Sequence, residues 1–471
     1  VKREAATFLA GTLGLNAARL VREFLVLGFL TGPGAAAAWV VVSLVRQYGA
    51  FSDLGASNAL ARLLPEAIAK RQDDDQAKLA GSALSLSVAS TLALSIAALL
   101  ALWAVDPSHD CVRAAPWIIA MLALDKVFLI QTTVQRSRLL WGLVASQYVA
   151  LGVLELVLGS ALARHYGLAG ALGGTVLAQT VVAVAFWKPG ASRMKPVWDP
   201  GSVRALTGLG AVLVGFGLTN IAMHSIDRVA LVGAGAPASL LTGYHLAAYA
   251  AIAVAQVAGG VMGVFSSRLF RASADEPGRY AKALEFPVYG MTAVGLVTGL
   301  LALPAVIFAL SLTGRDASLP VGALLVLLAT EVLACWTMPM ENALVGLHRG
   351  GRALPARIVG LTLGLFGGIY AWKSGAGALG VAGARLVAQA VVSGAVLHMA
   401  SKATGVSPVR PVVSLLIPGG LAALALSGAS RTGADSAALG IILLAACVLA
   451  ATVLWSPARR IVESLVRAAP G

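Results

Sequence analysis

The sequence predicts an all-α polytopic membrane protein: about fourteen transmembrane helices, as two six-helix bundles around a central cavity plus two C-terminal helices. Three observations predict it. Of 471 residues, 58% are apolar and only 12% are charged, about half the ~25% charge of a soluble domain. The apolar residues fall in runs of about 20, the length that crosses a ~30 Å hydrocarbon core. The 35 Lys and Arg exceed the 21 Asp and Glu, for a net charge of +14, and they punctuate the runs instead of forming one patch. A soluble enzyme of this size would need polar surface that this chain cannot supply. A nucleic-acid binder would gather its basic residues on one face.

In chain order, charged and Pro/Gly breaks delimit spans at 7–30, 35–60, 80–104, 112–134, 141–163 and 168–187. The second half gives 205–232, 240–266, 286–310, 320–346, 354–372 and 377–399, then 411–429 and 436–455. The first run holds Arg19, Arg22 and Glu23 and lacks a convincing cleavage site, so it reads as a retained helix and not a signal peptide. Thr31–Ala35 and Gly233–Ser239 leave room for little more than turns. Charge fixes the orientation. Of the basic residues, 24 fall on the side of the two termini, 5 on the other side (Arg113, Arg164, Arg315, Lys373 and Arg431) and six within spans. This alternation places both termini in the cytoplasm.

The halves echo each other. GLAGALGGTVLAQTVVAVA at 167–185 and GAGALGVAGARLVAQAVVSGAV at 375–396 share AGALG and a later Ala-Gln pair, at offsets of 207 to 210 residues. Such an offset covers six spans and restores the membrane orientation, so the repeat is parallel. The expected organisation is residues 1–190 as one six-helix bundle and 191–204 as a cytoplasmic linker. Residues 205–400 make the second bundle, and 401–471 make two further helices and a tail.

Several chemistries are excluded. Cys111, Cys335 and Cys447 are isolated, with no CxxC or zinc spacing. No metal site is expected. No GxxxxGK[ST] loop is present, so the chain carries no ATPase of its own. Asp73, Asp74 and Asp75 precede a helix, where carboxylates complement the helix dipole.

Ionisable residues inside spans normally face a cavity or a partner. Arg19, Arg22 and Glu23 share one face of the first span, and Arg46 and Asp53 one face of the second. Asn220, His224 and Asp227 share a face of the seventh, beside Arg228; His245 lies in the eighth. These residues predict a hydrated, net positive cavity. Arg19, Arg22, Arg46, Arg228 and His224 are the expected substrate contacts, because a guanidinium offers phosphate a bidentate fork. Glu23, Asp53, Asp227 and Glu331 are expected to be structural or coupling groups; Glu331 reads as paired or interfacial, with binding of a coupling proton or cation as its alternative. Asp125, Lys126, Glu155 and Glu341 read as paired or interfacial, and Arg385 as a lone basic residue facing the bundle or cavity.

The stretch GAFSDLGASNALARLLPEAIAKRQDDDQAK at 49–78, above all FSDLG at 51–55, is one of three family-like segments. The others are IDRVALVG at 226–233 and LLTGYHLAAYA at 240–250. Together they resemble the bacterial polysaccharide-biosynthesis membrane proteins, the O-antigen and related lipid-linked oligosaccharide flippases. That family lies within the multidrug/oligosaccharidyl-lipid/polysaccharide exporter superfamily. Many oligosaccharide flippases have twelve spans; the peptidoglycan-precursor flippases have fourteen. The resemblance implies a non-enzymatic flippase in the bacterial cytoplasmic membrane. Its cargo would be an undecaprenyl-diphosphate-linked glycan, moved outward by alternating access, with membrane lipids and glycan polymerases or glycosyltransferases as partners. No cofactor is expected; the membrane potential would favour export, and proton or sodium coupling is compatible with it. The rivals are a multidrug/cation antiporter of the same architecture, a membrane glycosyltransferase and a glycan-assembly scaffold. An antiporter needs an acidic cavity and a glycosyltransferase a loop-borne acid; neither is visible in the sequence.

Overall fold

The structure is a computed structural model. It describes residues 2–30, 33–69, 73–106, 109–187, 194–272, 321–347 and 349–406, with scattered positions between 284 and 302. The expected spans at 411–429 and 436–455, and most of 286–310, lie outside the described residues.

Among the described residues the regular structure is helical throughout. The first half contains α1 (Lys2–Phe29), α2 (Pro33–Gly49), α3 (Ala56–Ala69), α4 (Asp73–Val105), α5 (Asp110–Arg113), α6 (Ala115–Ser137) and α7 (Trp141–Ala185). The second contains α8 (Pro200–Gly233), α9 (Ala238–Ala272), α10 (Val321–Gly346), a 3₁₀ turn (Gly350–Ala353), α11 (Leu354–Lys373) and α12 (Gly377–Thr404). Among the described residues, seven helices are long and apolar enough to cross a membrane: α4, α6, α7, α9, α10, α11 and α12. Asp73, Asp74 and Asp75 occupy the first turn of α4. Asp199 caps α8, its Oδ2 accepting the Ser202 N–H at 2.7 Å; hydrogen bonds from Ser202 hold its carboxyl below the usual range.

The second span is shorter than its hydropathy suggests. α2 stops at Gly49, and Leu54 and Gly55 take left-handed φ values of 54° and 78°. Asp53 starts the next helix: its carboxylate accepts the N–H groups of Gly55 (3.0 Å) and Ser57 (3.1 Å). Asp53 therefore does not share a helix face with Arg46, and the run at 35–60 is two elements. An acceptor side chain just before a helix satisfies its orphan N–H groups, and this local signal overrides the apolar run.

The 45 residues of α7 comprise the fifth and sixth spans, reversed at one position. Gly167 has φ 58° and ψ −136°, a conformation open to glycine and strained for other residues. Gly174 beyond the turn lies against Leu158 and Gly159 before it, so the arms are antiparallel and closely packed.

The chain forms two compact units. Unit 1 is Val1–Ser225 with Ala236–His245; unit 2 is Ile226–Gly235 with Leu246–Gly471. One core of unit 1 joins Leu60 and Leu64 of α3, Ala83 and Leu84 of α4, and Ile130 and Val134 of α6 with Met194 and Leu206. A second joins Leu15, Phe128, Leu151 and Val182. In unit 2, Gly364 and Gly368 of α11 lie against Ile226 and Ala230 of α8 and against Ala388 and Val381 of α12.

Candidate substrate site

Small residues bring α1 onto the first arm of α7. A Cβ on Gly11 would lie 2.7 Å from the Ala145 Cα, and one on Gly152 would lie 3.1 Å from both Leu15 and Ala18. Within membranes such residues let helix backbones approach closely. The same stripe continues to Arg19 and Arg22 on α1, opposite Glu155 on α7.

Glu155 is the hub of unit 1. Its buried carboxylate accepts Arg19 Nε at 2.8 Å and Nη2 at 3.1 Å. It also accepts Arg22 Nη1 at 3.1 Å and Arg46 Nη2 at 2.9 Å. Arg46 forms a bidentate pair with Asp125 of α6, through Nε and Nη2, both at 2.8 Å. Gln179, on the second arm of α7, donates to the same Asp125 at 2.7 Å. Deeper, Arg22 Nη2 donates to Glu23 at 3.0 Å, and its guanidinium lies 5.6 Å from the Trp39 ring centre. Trp39 Nε1 donates to Glu23 at 2.6 Å, and His245 Nε2 lies 3.6 Å from that oxygen. The site has two depths. Arg22, Glu23 and Glu155 are 3% exposed or less. Arg19, Arg46 and Asp125 keep 23%, 17% and 25%.

The arrangement differs from the net positive cavity expected from the sequence. Asp125 and Glu155 join the cluster, so Arg19, Arg22 and Arg46 face three carboxylates. Asp53 lies elsewhere, 3.8 Å from Lys126 Nζ, which also donates to the Ala50 carbonyl at 2.7 Å. This pair fixes the turn after α2.

The remaining candidates lie on α8 or in unit 2. His224 is half-buried on α8 and Arg228 is 1% exposed. Asp227 accepts the Arg228 backbone N–H at 2.8 Å and Arg385 Nη1 at 2.9 Å. The second Arg385 nitrogen donates to Glu331. Glu331 is thus paired with a guanidinium of the chain itself, and Arg385 bridges two carboxylates. Arg357 pairs with Glu341 at 2.7 Å.

No family model matches the chain, and no curated protein does. Solved structures do. A lipid II flippase, MurJ, in an inward closed conformation has a TM-score of 0.63 at 12% identity, covering 97% of this chain and 99% of its own. A MATE transporter of Vibrio cholerae has a TM-score of 0.63 at 17% identity, covering 85% and 95%. A MOP-superfamily transporter from Pyrococcus furiosus, described as having a binding pocket of reversed polarity, scores 0.57 at 16% identity, covering 86% and 95%. The helical pattern read from the sequence and these similarities agree: the chain has the polytopic all-α fold of the MATE transporters and the lipid II flippase.

Proposed function

We propose that the protein is a membrane transporter that flips a lipid-diphosphate-linked glycan from the cytoplasmic to the outer leaflet of the bacterial cytoplasmic membrane. One observation carries this reading. Two partly exposed arginines, Arg19 and Arg46, stand over a buried carboxylate hub that holds them in place. Guanidinium forks suit diphosphate oxygens. The lipid II flippase also covers 97% of this chain, against 85% for the Vibrio MATE transporter.

Because the cluster is balanced in charge, binding would be an exchange. The diphosphate takes Arg46 from Asp125, whose carboxylate is the most exposed member and is released to water. Glu155 stays behind and keeps the guanidiniums oriented. No covalent step is involved. An inside-negative potential favours outward movement of the anion by roughly 2.3 kcal/mol per charge per 100 mV. Glycosyltransferases that build the glycan and polymerases that extend it are the partners this activity calls for.

Reconstitution in vesicles tests the reading, with a polyprenyl-diphosphate oligosaccharide scored for arrival in the outer leaflet. Arg46→Ala and Arg19→Ala should each slow arrival by one to two orders of magnitude, the worth of a charge-assisted hydrogen-bond pair of roughly 1.5–3 kcal/mol. Wild-type rates in both variants would sink it. The exposure of Asp125 also suits the rival reading, a cation antiporter. In that case Asp125→Asn abolishes uptake of a cationic dye into vesicles, and the arginine variants leave glycan flipping absent throughout.

A further inference from the structure

Unit 1 contains a cleft of about 300 Å³ between α2, α4 and α6, at the lower end of the range for ligand pockets. One wall is the α2 stripe Val41, Val45 and Tyr48, continued by Ser52 of the following turn. The other is Ser95, Ala98, Leu99 and Leu102 of α4. Ile118 and Leu122 of α6 form the floor. The hydroxyls along it point to partners: Tyr48 shares a hydrogen bond with Ser225 at 2.7 Å, and Ser52 one with Thr91 at 2.6 Å. Apart from Ser95 and Cys111, the rest of the lining is hydrocarbon. The rim on α4 is exposed and apolar, with Leu94 at 49%, as befits a helix facing lipid.

The cleft abuts the charged cluster. Gly49 of α2 packs on Leu122 of α6, where a Cβ would come within 2.8 Å of its Cδ2. Arg46 is one turn before Gly49, and Asp125 is one turn after Leu122. The two helices that meet at this end of the cleft therefore carry the Arg46–Asp125 pair. One narrow apolar channel beside one cationic fork fits an amphiphile with a single chain. A phospholipid presents two chains for each head.

We propose that this cleft seats the head-proximal part of the single isoprenoid chain of the transported lipid. The proposal rests on the reading of Arg46 as a head-group contact, but it can fail separately. The full-length protein in nanodiscs is irradiated with a polyprenyl diphosphate bearing a diazirine near its head, and the adducts are mapped by mass spectrometry. Adducts should fall on α2 and α4 around Val41, Val45, Ala98 and Leu102. Ala98→Trp, at an exposed position on the wall, should reduce them about tenfold by displacing a few methylene contacts. Adducts confined to other helices would overturn the proposal, as would equal labelling of the cleft by a diazirine phosphatidylglycerol, which would make it a site for ordinary bilayer lipid. If the isoprenoid labels the cleft while Arg46→Ala leaves flipping untouched, the cleft stands and the head-group reading falls. If Ala98→Trp slows flipping of the long-chain substrate and spares a short-chain analogue, both stand.

Discussion

In unit 1 three arginines converge on Glu155, and Arg19, Arg46 and Asp125 keep between 17% and 25% of their side chains exposed. In unit 2 Arg385 is sealed between Asp227 and Glu331 at 1% exposure or less, with buried Arg228 beside Asp227. The clusters occupy related places in the repeat. Asp125 and Glu331 are 206 residues apart, Arg19 and Asp227 are 208 apart, and Thr175 and Arg385 are 210 apart. The cation sits on the first helix of one repeat and on the last of the other. One scaffold thus carries both an accessible, exchangeable set of ion pairs and a locked one. Accessibility, not the count of charges, separates the two clusters.

The largest effect should come from the locked set. Arg385→Ala leaves two buried carboxylates without their shared cation, and breaking such a pair costs about 3–5 kcal/mol. A thermal melt in detergent should show it as a large drop. The triple variant Arg385→Met, Asp227→Asn, Glu331→Gln should recover most of the loss, and failure to recover would mean that the arginine serves something besides these carboxylates. Next is Glu155→Gln, which removes the charge that three arginines share. Stability should fall by about 3 kcal/mol and flipping should stop. Stability kept with transport lost would recast Glu155 as a working group and not a hub.

Asp125→Asn should have a milder effect, opposite in sign for binding. It weakens the competitor for Arg46, so affinity for a diphosphate head, read by isothermal titration, should rise severalfold while the melt moves by about 1 kcal/mol or less. A fall in affinity would show that Asp125 helps to hold Arg46 in its productive pose. The smallest effect concerns the α8 cap. Asp199 has a lowered folded pKa, so its contribution is present above its unfolded value and is lost as pH falls through the folded one. Stability should therefore decline slightly below about pH 4, and the Asp199→Asn variant should lack that component.

The helices were legible because hydropathy and the alternation of basic loops act locally along the chain. The turn after Gly49 was obscured because Ala50–Leu60 stays largely apolar, and the left-handed pair Leu54–Gly55 carries no hydropathy signal. Sequence reading brought out Arg19, Arg22 and Arg46 as intramembrane charges, but placed Arg46 on one helix face with Asp53. It did not find their partners. Asp125 and Glu155 are isolated carboxylates in apolar spans, 79 and 109 residues from Arg46. Close packing at Gly11 and Gly152 brings Glu155 onto the α1 arginines, in a chain with 52 glycines. A periodicity spread over so many small residues does not mark one helix pair.

The one-residue reversal at Gly167 has a mechanical consequence. The arm before it carries Glu155, and the arm after it carries Thr175, which accepts a hydrogen bond from Arg22, and Gln179, which bonds Asp125. With no slack between the arms, these three side chains travel as one anvil. Under the proposed function, rearrangement of the cluster falls to α2 and α6, so the Arg46–Asp125 pair would be the moving part and the Glu155 hub, with α1 packed on it, the fixed one.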